Sequence, residues 1–405
     1  MHILFLSDNF PPESNAPALR SFEHVREWVK SGEKVTVITS NPNFPEGKIY
    51  KGYKNHWFKK EIVQGVEVIR VKTFMAANKG SILRVIDFLS FMIMSFLTSF
   101  FVKKVDLVFA TSPQFFTAVS GWLVSIFKKK PFVFEVRDIW PSSINAVGLM
   151  KKNWIFNLLE IIELFLYSKA SLIISVTNSF KDNLIKRGVD PQKIKIVFNG
   201  ADRESLGKLI KKNKDFEEKF NVKNKFVVGY VGTHGMAHAL ESVIDTAEKL
   251  KEYDQIRFLF VGGGSEKMMI NSLVEQKELS NVVLYDKQNR KDIPKILGLC
   301  DISLISLKDS DSFKEVIPSK IFENLALGIP MLISAPIGEA TSLILETRSG
   351  ILAHPENPID LKHKILLLYN DESLLFQLSK SSLDASLKYE RKNLATILLS
   401  YLKKL

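Results

Sequence analysis

A chain of 405 residues is long enough for two domains, each with its own core. Its 46% hydrophobic and 25% charged residues are those of a globular protein, and the single cysteine, Cys300, excludes a disulfide framework and a cysteine-based zinc site. The net charge of +12 is uneven: residues 1–200 carry 27 Lys and Arg against 16 Asp and Glu, residues 201–405 carry 29 against 28. A basic half beside a neutral half implies that the first half faces something anionic. No nucleic-acid recognition motif is present, which leaves an anionic membrane surface as the candidate.

His2 to Ser7 reads as a buried first strand. It is too short for a signal peptide and runs straight into Asp8, which points to the cytoplasm. Asp8 to Pro17 is a loop, Ala18 to Ser31 an amphipathic helix closed by Gly32, and Lys34 to Thr39 the next strand. This is the opening of a doubly wound α/β fold, whose strand ends form ligand crevices. Lys60 to Lys72 reads as a hairpin about Gln64-Gly65. Ile82 to Val102 is the most membrane-like stretch, with fifteen uncharged residues and five phenylalanines from Phe88 onward. A spanning helix needs roughly twenty apolar residues, so this is a buried core helix or one lying against a membrane interface. Phe127-Lys-Lys-Lys130 and Lys151-Lys-Asn-Trp154 join cations to aromatics, which suits a lipid surface or a solvated loop. Pro131 to Asp138 is a strand running into Ile139-Trp-Pro141. Arg137 and Asp138, at its carboxyl end, cannot both be buried unpaired; they form an ion pair, touch a ligand, or do both.

The succession of strands and helices breaks near residue 200, and the polar, lysine-rich residues 203–224 read as a linker and lead-in. Strand Phe226 to Val231 ends in Gly232-Thr-His-Gly-Met-Ala-His238. Small residues between strand and helix let backbone N–H groups cradle a phosphate. Gly232, Thr233 and His234 are candidates for that contact, while His238 is expected to face solvent on the following helix. Two histidines without a third ligand do not make a metal site. Ile256 to Val261 leads into Gly262-Gly-Gly-Ser265, a weak signal by itself. From Glu315 the chain reads Glu-Val-Ile-Pro-Ser-Lys-Ile-Phe-Glu323, then Asn-Leu-Ala-Leu-Gly328-Ile-Pro330. The spacing predicts a helix from Pro318 in its first turn to Leu327, capped by Gly328. Its N-terminus favours an anion, Lys320 adds a cation there, and Glu323 lies one turn further in. A phosphate at the helix end with a ribose on Glu323 is one reading; a capped helix with two solvated glutamates is the other.

Two glutamates separated by seven residues, Glu315 and Glu323, followed by Ala326-Leu-Gly328-Ile-Pro330, resemble the nucleotide-sugar signature of retaining glycosyltransferase family 4. The Ile-Pro-Ser-Lys between them is similar to a subgroup that includes bacterial N-acetyl-L-fucosamine transferases of O-antigen and capsule assembly, and the resemblance runs from the first strand to about residue 370. It implies the GT-B fold: two facing Rossmann-like doubly wound domains with an interdomain cleft. Residues 1–202 would hold the acceptor, 203–385 the nucleotide sugar, and 386–405 would form a helix crossing back to the first domain.

The resemblance also implies roles. Glu323 would bind the nucleotide ribose and Glu315 lie by the donor sugar. Many relatives place an arginine and a lysine against the diphosphate in the loop after Val231, where this chain has His234 and His238, so Lys320 is expected to supply the charge, with Pro318, Ser319, Gly232, Thr233 and His234 in the same donor site; Lys287 would belong to the base site. Arg137 and Asp138 are candidates for the acceptor side, Asp138 as acceptor base or positioning carboxylate and Arg137 as phosphate or sugar ligand. Ser14-Asn15-Ala16 stands where many relatives have a glycine pair, so Asn15 is expected to shape the acceptor cleft. Asp309-Ser-Asp311 resembles the metal-binding motif of a different glycosyltransferase fold, but GT-B enzymes are metal-independent, so neither metal nor cofactor is expected. The expected partners are a UDP-sugar donor, a polyprenyl-diphosphate-linked glycan acceptor and an anionic membrane surface, with the protein peripheral on the inner face of the cell membrane. An epimerase of the same fold and a non-catalytic scaffold for glycan assembly are the alternatives.

Overall fold

The structure, a computed structural model, describes residues 1–76, 82–142, 153–206 and 212–405; Lys151 and Lys152 of the second aromatic-basic cluster lie outside them. The chain forms two compact units, Met1–Asn199 with Arg391–Leu405, and Gly200–Glu390.

The first unit is built on eight strands: β1 (His2–Leu6), β2 (Lys34–Ser40), β3 (Phe58–Val63), β4 (Val66–Val71), β5 (Leu107–Thr111), β6 (Phe132–Val136), β7 (Leu172–Ser175) and β8 (Ile194–Ile196). They lie in the order β3-β4-β2-β1-β5-β6-β7-β8, parallel except for β3. The central strands are near-continuous apolar runs because helices cover both faces of a parallel sheet. The β3–β4 hairpin turns at Gln64 and Gly65, both at positive φ, the conformation that matches strand twist in a two-residue loop.

Helix α1 (Ala16–Lys30) and the C-terminal helix Arg391–Leu402 cover one sheet face. Trp28 on α1 packs among Ile3, Phe5 and Phe109 and donates its indole N–H to the Ala395 carbonyl at 2.9 Å. Side chains alternate across a strand, so Ala110 and Phe132 point the other way, where Gly121 of α3 (Phe115–Lys128) lies against them. Helix α2 (Ile82–Ser99) packs beside α3, with Ser95 and Ser120 hydroxyls 2.7 Å apart, and α4 (Trp154–Lys169) flanks α3 through Trp122 and Phe165. Of the two readings of the 82–102 stretch, the buried core helix is met on one face only. Phe91, Ser95 and Ser99 are buried, whereas Leu83, Ile86, Ile93 and Leu97 are exposed. No helix among the described residues is long and apolar enough to cross a membrane.

The second unit is a six-stranded parallel sheet: β9 (Phe226–Thr233), β10 (Ile256–Gly263), β11 (Val282–Tyr285), β12 (Ile302–Ser306), β13 (Met331–Ser334) and β14 (Gly350–Ala353), in the order β11-β10-β9-β12-β13-β14. The chain progresses outward in one direction from β9 and then in the other from β12, so their carboxyl ends flank a topological switch point, where such sheets bind ligands. The stretch 203–224 differs from the expected linker. Arg203–Leu206 and α5 (Lys214–Lys219) are helical, and Phe220 and Val222 are fully buried against Val227 and Leu259. The lysines mask an apolar spacing at Phe216, Phe220 and Val222, and Lys212 is itself tied down, its Nζ donating to Asp301 at 2.7 Å.

Candidate functional site

The second switch point is assembled from the loops after β9, β10 and β12. The His234 N–H donates to the Gly263 carbonyl at 2.9 Å, and the Glu266 N–H donates to the His234 carbonyl at 3.0 Å. This stitching needs Gly262 (φ +156°), where a Cβ would sit 1.8 Å from the Gly232 carbonyl oxygen. The glycine triplet, weak as a motif, is therefore the place where two loops touch.

The His234 ring is 1% exposed, between Tyr230 and Phe260, and neither nitrogen has a hydrogen-bond partner among the described residues. Burial, then the cations Lys267 and Lys320, push the imidazole down to about 4. It is neutral at pH 7 and offers one N–H and one lone pair.

Lys320 comes from α6 (Ser319–Leu327). Its Nζ is buried, lies 4.0 Å from the centre of the Tyr230 ring, and would be 3.0 Å from a Cβ placed on Gly232. No hydrogen-bond partner meets it among the described residues. Burial pulls the ammonium down to about 8 against the attraction of Glu323. A buried ammonium satisfied only by a ring face is costly, and an anion placed beside it relieves that cost. Pro318 stands just outside the helix as its N-cap, one position earlier than the sequence spacing suggests, and Ser319 begins the first turn. Asn324 anchors α6 to β12 by donating to Ser303 Oγ at 2.8 Å. Glu323, half-buried, is one turn from Lys320. Glu315, also half-buried, follows the short helix Asp311–Lys314, whose last carbonyl would lie 2.2 Å from a Cβ on Gly338.

His238 does not face solvent on a helix. It ends a 3₁₀ turn, Met236–His238, before Ala239 (φ 44°) redirects the chain, and its Nδ1 donates to the Ser306 carbonyl at 3.2 Å. Burial and Lys320 push it, too, down to about 4. The structure thus brings Gly232, His234, His238 and Lys320 together around Tyr230. Thr233 is exposed at the end of β9, and Lys287 is exposed beyond β11, two strands along the sheet from β9. Among the described residues no cluster of His, Cys, Asp and Glu suits a metal ion; Asp311 pairs with Lys314 at 2.6 Å.

In the first unit the corresponding edge lies around β1, β5 and β6. Ser112 Oγ accepts the N–H groups of Arg137 at 2.7 Å and Asp138 at 3.3 Å. No hydrogen bond or ion pair joins the two side chains, so the ion-pair reading is not what forms. The Arg137 Nε and Nη1 are buried without partners among the described residues, and burial pulls the guanidinium down to about 10. Burial pushes the Asp138 carboxyl up to about 6, against the pull of Arg137. Beneath them Arg20 and Glu135 form a buried ion pair at 2.8 Å, with Arg20 Nη1 also donating to the Phe198 carbonyl at 2.6 Å. Asn15 has a structural task as N-cap of α1, accepting the Ala18 N–H at 2.9 Å while donating to Asn9.

Sequence reading passed over Tyr230, Ser112 and Asp8. Asp8 follows β1 at the first switch point, and burial, then Asp87 and Glu13, hold its carboxyl well above the usual range. Its position just past the first strand was the available signal.

Residues 20–205 match the family Glycosyltransferase Family 4, and residues 211–383 match Glycosyl transferases group 1. The chain belongs to the group 1/family 4 glycosyltransferases. Its two doubly wound units are those of the GT-B fold. Like HepE of Anabaena in complex with UDP-glucose, this glycosyltransferase has that fold along its whole length: the TM-score is 0.73 at 16% identity, covering 100% of both chains. Among curated relatives it is similar to the putative colanic acid biosynthesis glycosyl transferase WcaI of Escherichia coli, 23% identical over 359 residues and 87% of each chain. It is also similar to the N,N'-diacetylbacillosaminyl-diphospho-undecaprenol alpha-1,3-N-acetylgalactosaminyltransferase of Campylobacter jejuni, 28% identical over 180 residues, which are 44% of this chain and 45% of that one.

Proposed function

We propose that the protein transfers a sugar from a UDP-sugar to a hydroxyl of a polyprenyl-diphosphate-linked glycan in the synthesis of a bacterial surface polysaccharide such as an O-antigen or capsule. The observation that carries this is the buried Lys320 Nζ, without a hydrogen-bond partner among the described residues, beside the neutral His234 ring at the second switch point. Transfer needs the leaving diphosphate stabilised as the sugar–oxygen bond breaks, and preorganised donors in a water-poor site do this well. Lys320 and the first turn of α6 take the diphosphate, and the His234 N–H takes a phosphate or sugar oxygen. Glu323 accepts from the ribose hydroxyls, Glu315 from the sugar. In the first unit Asp138, largely ionised at pH 7 yet more basic than an ordinary aspartate, receives or orients the acceptor hydroxyl, with Arg137 binding acceptor oxygens.

The likeness to HepE, solved with UDP-glucose, supports a UDP donor. The Campylobacter relative, which acts on a diphospho-undecaprenol substrate, supports a lipid-linked acceptor, and WcaI supports a place in polysaccharide synthesis. The signature between Glu315 and Glu323 favours a deoxy-amino sugar such as N-acetyl-L-fucosamine, retention of anomeric configuration and no metal. On this reading the enzyme works peripherally at the inner face of the cell membrane. The test is incubation with candidate UDP-sugars and a lipid-linked acceptor in EDTA, following UDP release and the anomeric proton of the product by NMR. Acceptor-dependent UDP release with the donor's configuration in the product supports the reading. Sugar interconversion or free UDP without acceptor refutes it.

A further inference from the structure

We infer that the outer face of the layer α2–α3–α4 is a membrane-inserting surface that seats the first unit on an anionic bilayer. A helix covering a sheet normally turns a polar face outward; two of these do not. Along α2 the exposed residues Leu83, Ile86, Ile93 and Leu97 recur at three- and four-residue steps, with Ser90 continuing the spacing. They form one apolar stripe over a helix about 27 Å long. On α4 the same spacing carries Trp154 (73% exposed), Leu158, Ile161 (64%) and Phe165. The stripes belong to one continuous face. Phe100, just past α2, stacks edge-on against Phe127 of α3 at 4.3 Å, and Trp122 of α3 meets Phe165 of α4 at 4.8 Å.

What identifies the occupant is charge. Each of these helices connects parallel strands, so all three run back against the strand direction and end at the same edge of the sheet. Among the described residues the layer's exposed lysines sit at those ends: Lys103 and Lys104 after α2, Lys129 and Lys130 after α3, Lys169 closing α4. An apolar plane with a lysine row along one margin fits acyl chains beneath a layer of anionic headgroups. The edge hairpin extends it, with Phe58 of β3 against Phe101 at 5.9 Å and Trp57 and Ile62 exposed. No helix among the described residues can span, so the layer lies in the interface. This rests on the membrane part of the proposed function but not on its chemistry.

The test uses the full chain and phosphatidylcholine vesicles with and without phosphatidylglycerol, in three forms: unaltered, Leu97→Asp with Ile161→Asp, and Lys129→Glu with Lys130→Glu. The altered side chains are exposed, and UDP titration with thermal melting checks each fold independently. Expected is sedimentation of the unaltered protein with anionic vesicles, about ten-fold or more weaker binding by the apolar variant on both lipids, and loss of the phosphatidylglycerol preference in the charge variant. Tryptophan quenching by brominated lipid should fall in Trp154→Phe. No vesicle binding by the unaltered protein, or equal binding by the apolar variant, overturns the inference. So does a lipid-free dimer that Leu97→Asp dissociates, which would give the face to a second copy. Failure to bind UDP would instead count against the donor reading and leave the vesicle result intact.

Discussion

The two switch points share a scaffold and differ in what they leave unsatisfied. In the first unit the deepest charges are matched, Arg20 to Glu135, while above them Arg137 is buried without hydrogen bonds at Nε and Nη1 among the described residues and Asp138 is lifted to about 6. In the second unit one ammonium rests on a tyrosine ring beside two imidazoles kept neutral by burial. The first edge offers a carboxylate of raised basicity, suited to a hydroxyl; the second offers a cation and neutral donors, suited to an anionic leaving group. Parallel sheets supply the place, and on the proposed reading the few residues after each strand decide which half of the transfer that place serves.

The sharpest way to separate the two edges is Asp138→Asn. Turnover with acceptor should fall roughly 10²- to 10⁴-fold, the usual worth of a positioned base, while UDP affinity stays unchanged by calorimetry. Equal loss of both would erase the distinction. Next, Glu135→Ala strands Arg20 in the interior and should cost about 3–5 kcal/mol, read by urea denaturation; Glu323→Ala, at a half-buried position, should cost far less. The two edges also titrate differently. The profile of kcat/KM should rise through about pH 6 as Asp138 ionises and fall above about pH 8 as Lys320 loses its proton. Asp138→Asn should remove the acid limb and leave the alkaline one. Stability in acid separates the two edges as well. His234 and His238 have pKa values near 4, below their ordinary 6.5, so the unfolded chain binds more protons between those values. Their contribution is complete above pH 6.5 and is lost as pH falls toward 4; His234→Gln should flatten that decline in thermal melts.

Much of this was legible in the sequence because it was written in strand runs and turn residues. The strand–loop–helix opening, the Gln64-Gly65 hairpin and the helix ending at Gly328 follow from apolar period and from φ preferences. What stayed hidden depends on distant partners. Tyr230 reads as one more strand residue until α6 lays Lys320 across its ring. His238 looked solvated because its spacing suggested a helix face, whereas Ala239 turns the chain and delivers its Nδ1 to the Ser306 carbonyl. Residues 203–224 read as a linker and lead-in because lysine outweighs the apolar positions Phe216, Phe220 and Val222 in composition but not in packing. The 82–102 stretch gave two answers because the helix has two faces, and periodicity cannot say which one a neighbour covers.

The most direct measurement is calorimetric titration of UDP into the unaltered protein and Lys320→Met, in EDTA. A charged hydrogen bond to phosphate contributes about 1.5–3 kcal/mol, so the variant should bind roughly 10- to 150-fold more weakly, with a melting temperature no lower than that of the unaltered protein. Binding of equal strength by a folded Lys320→Met would mean that the buried ammonium is not the diphosphate contact and that the donor site lies elsewhere.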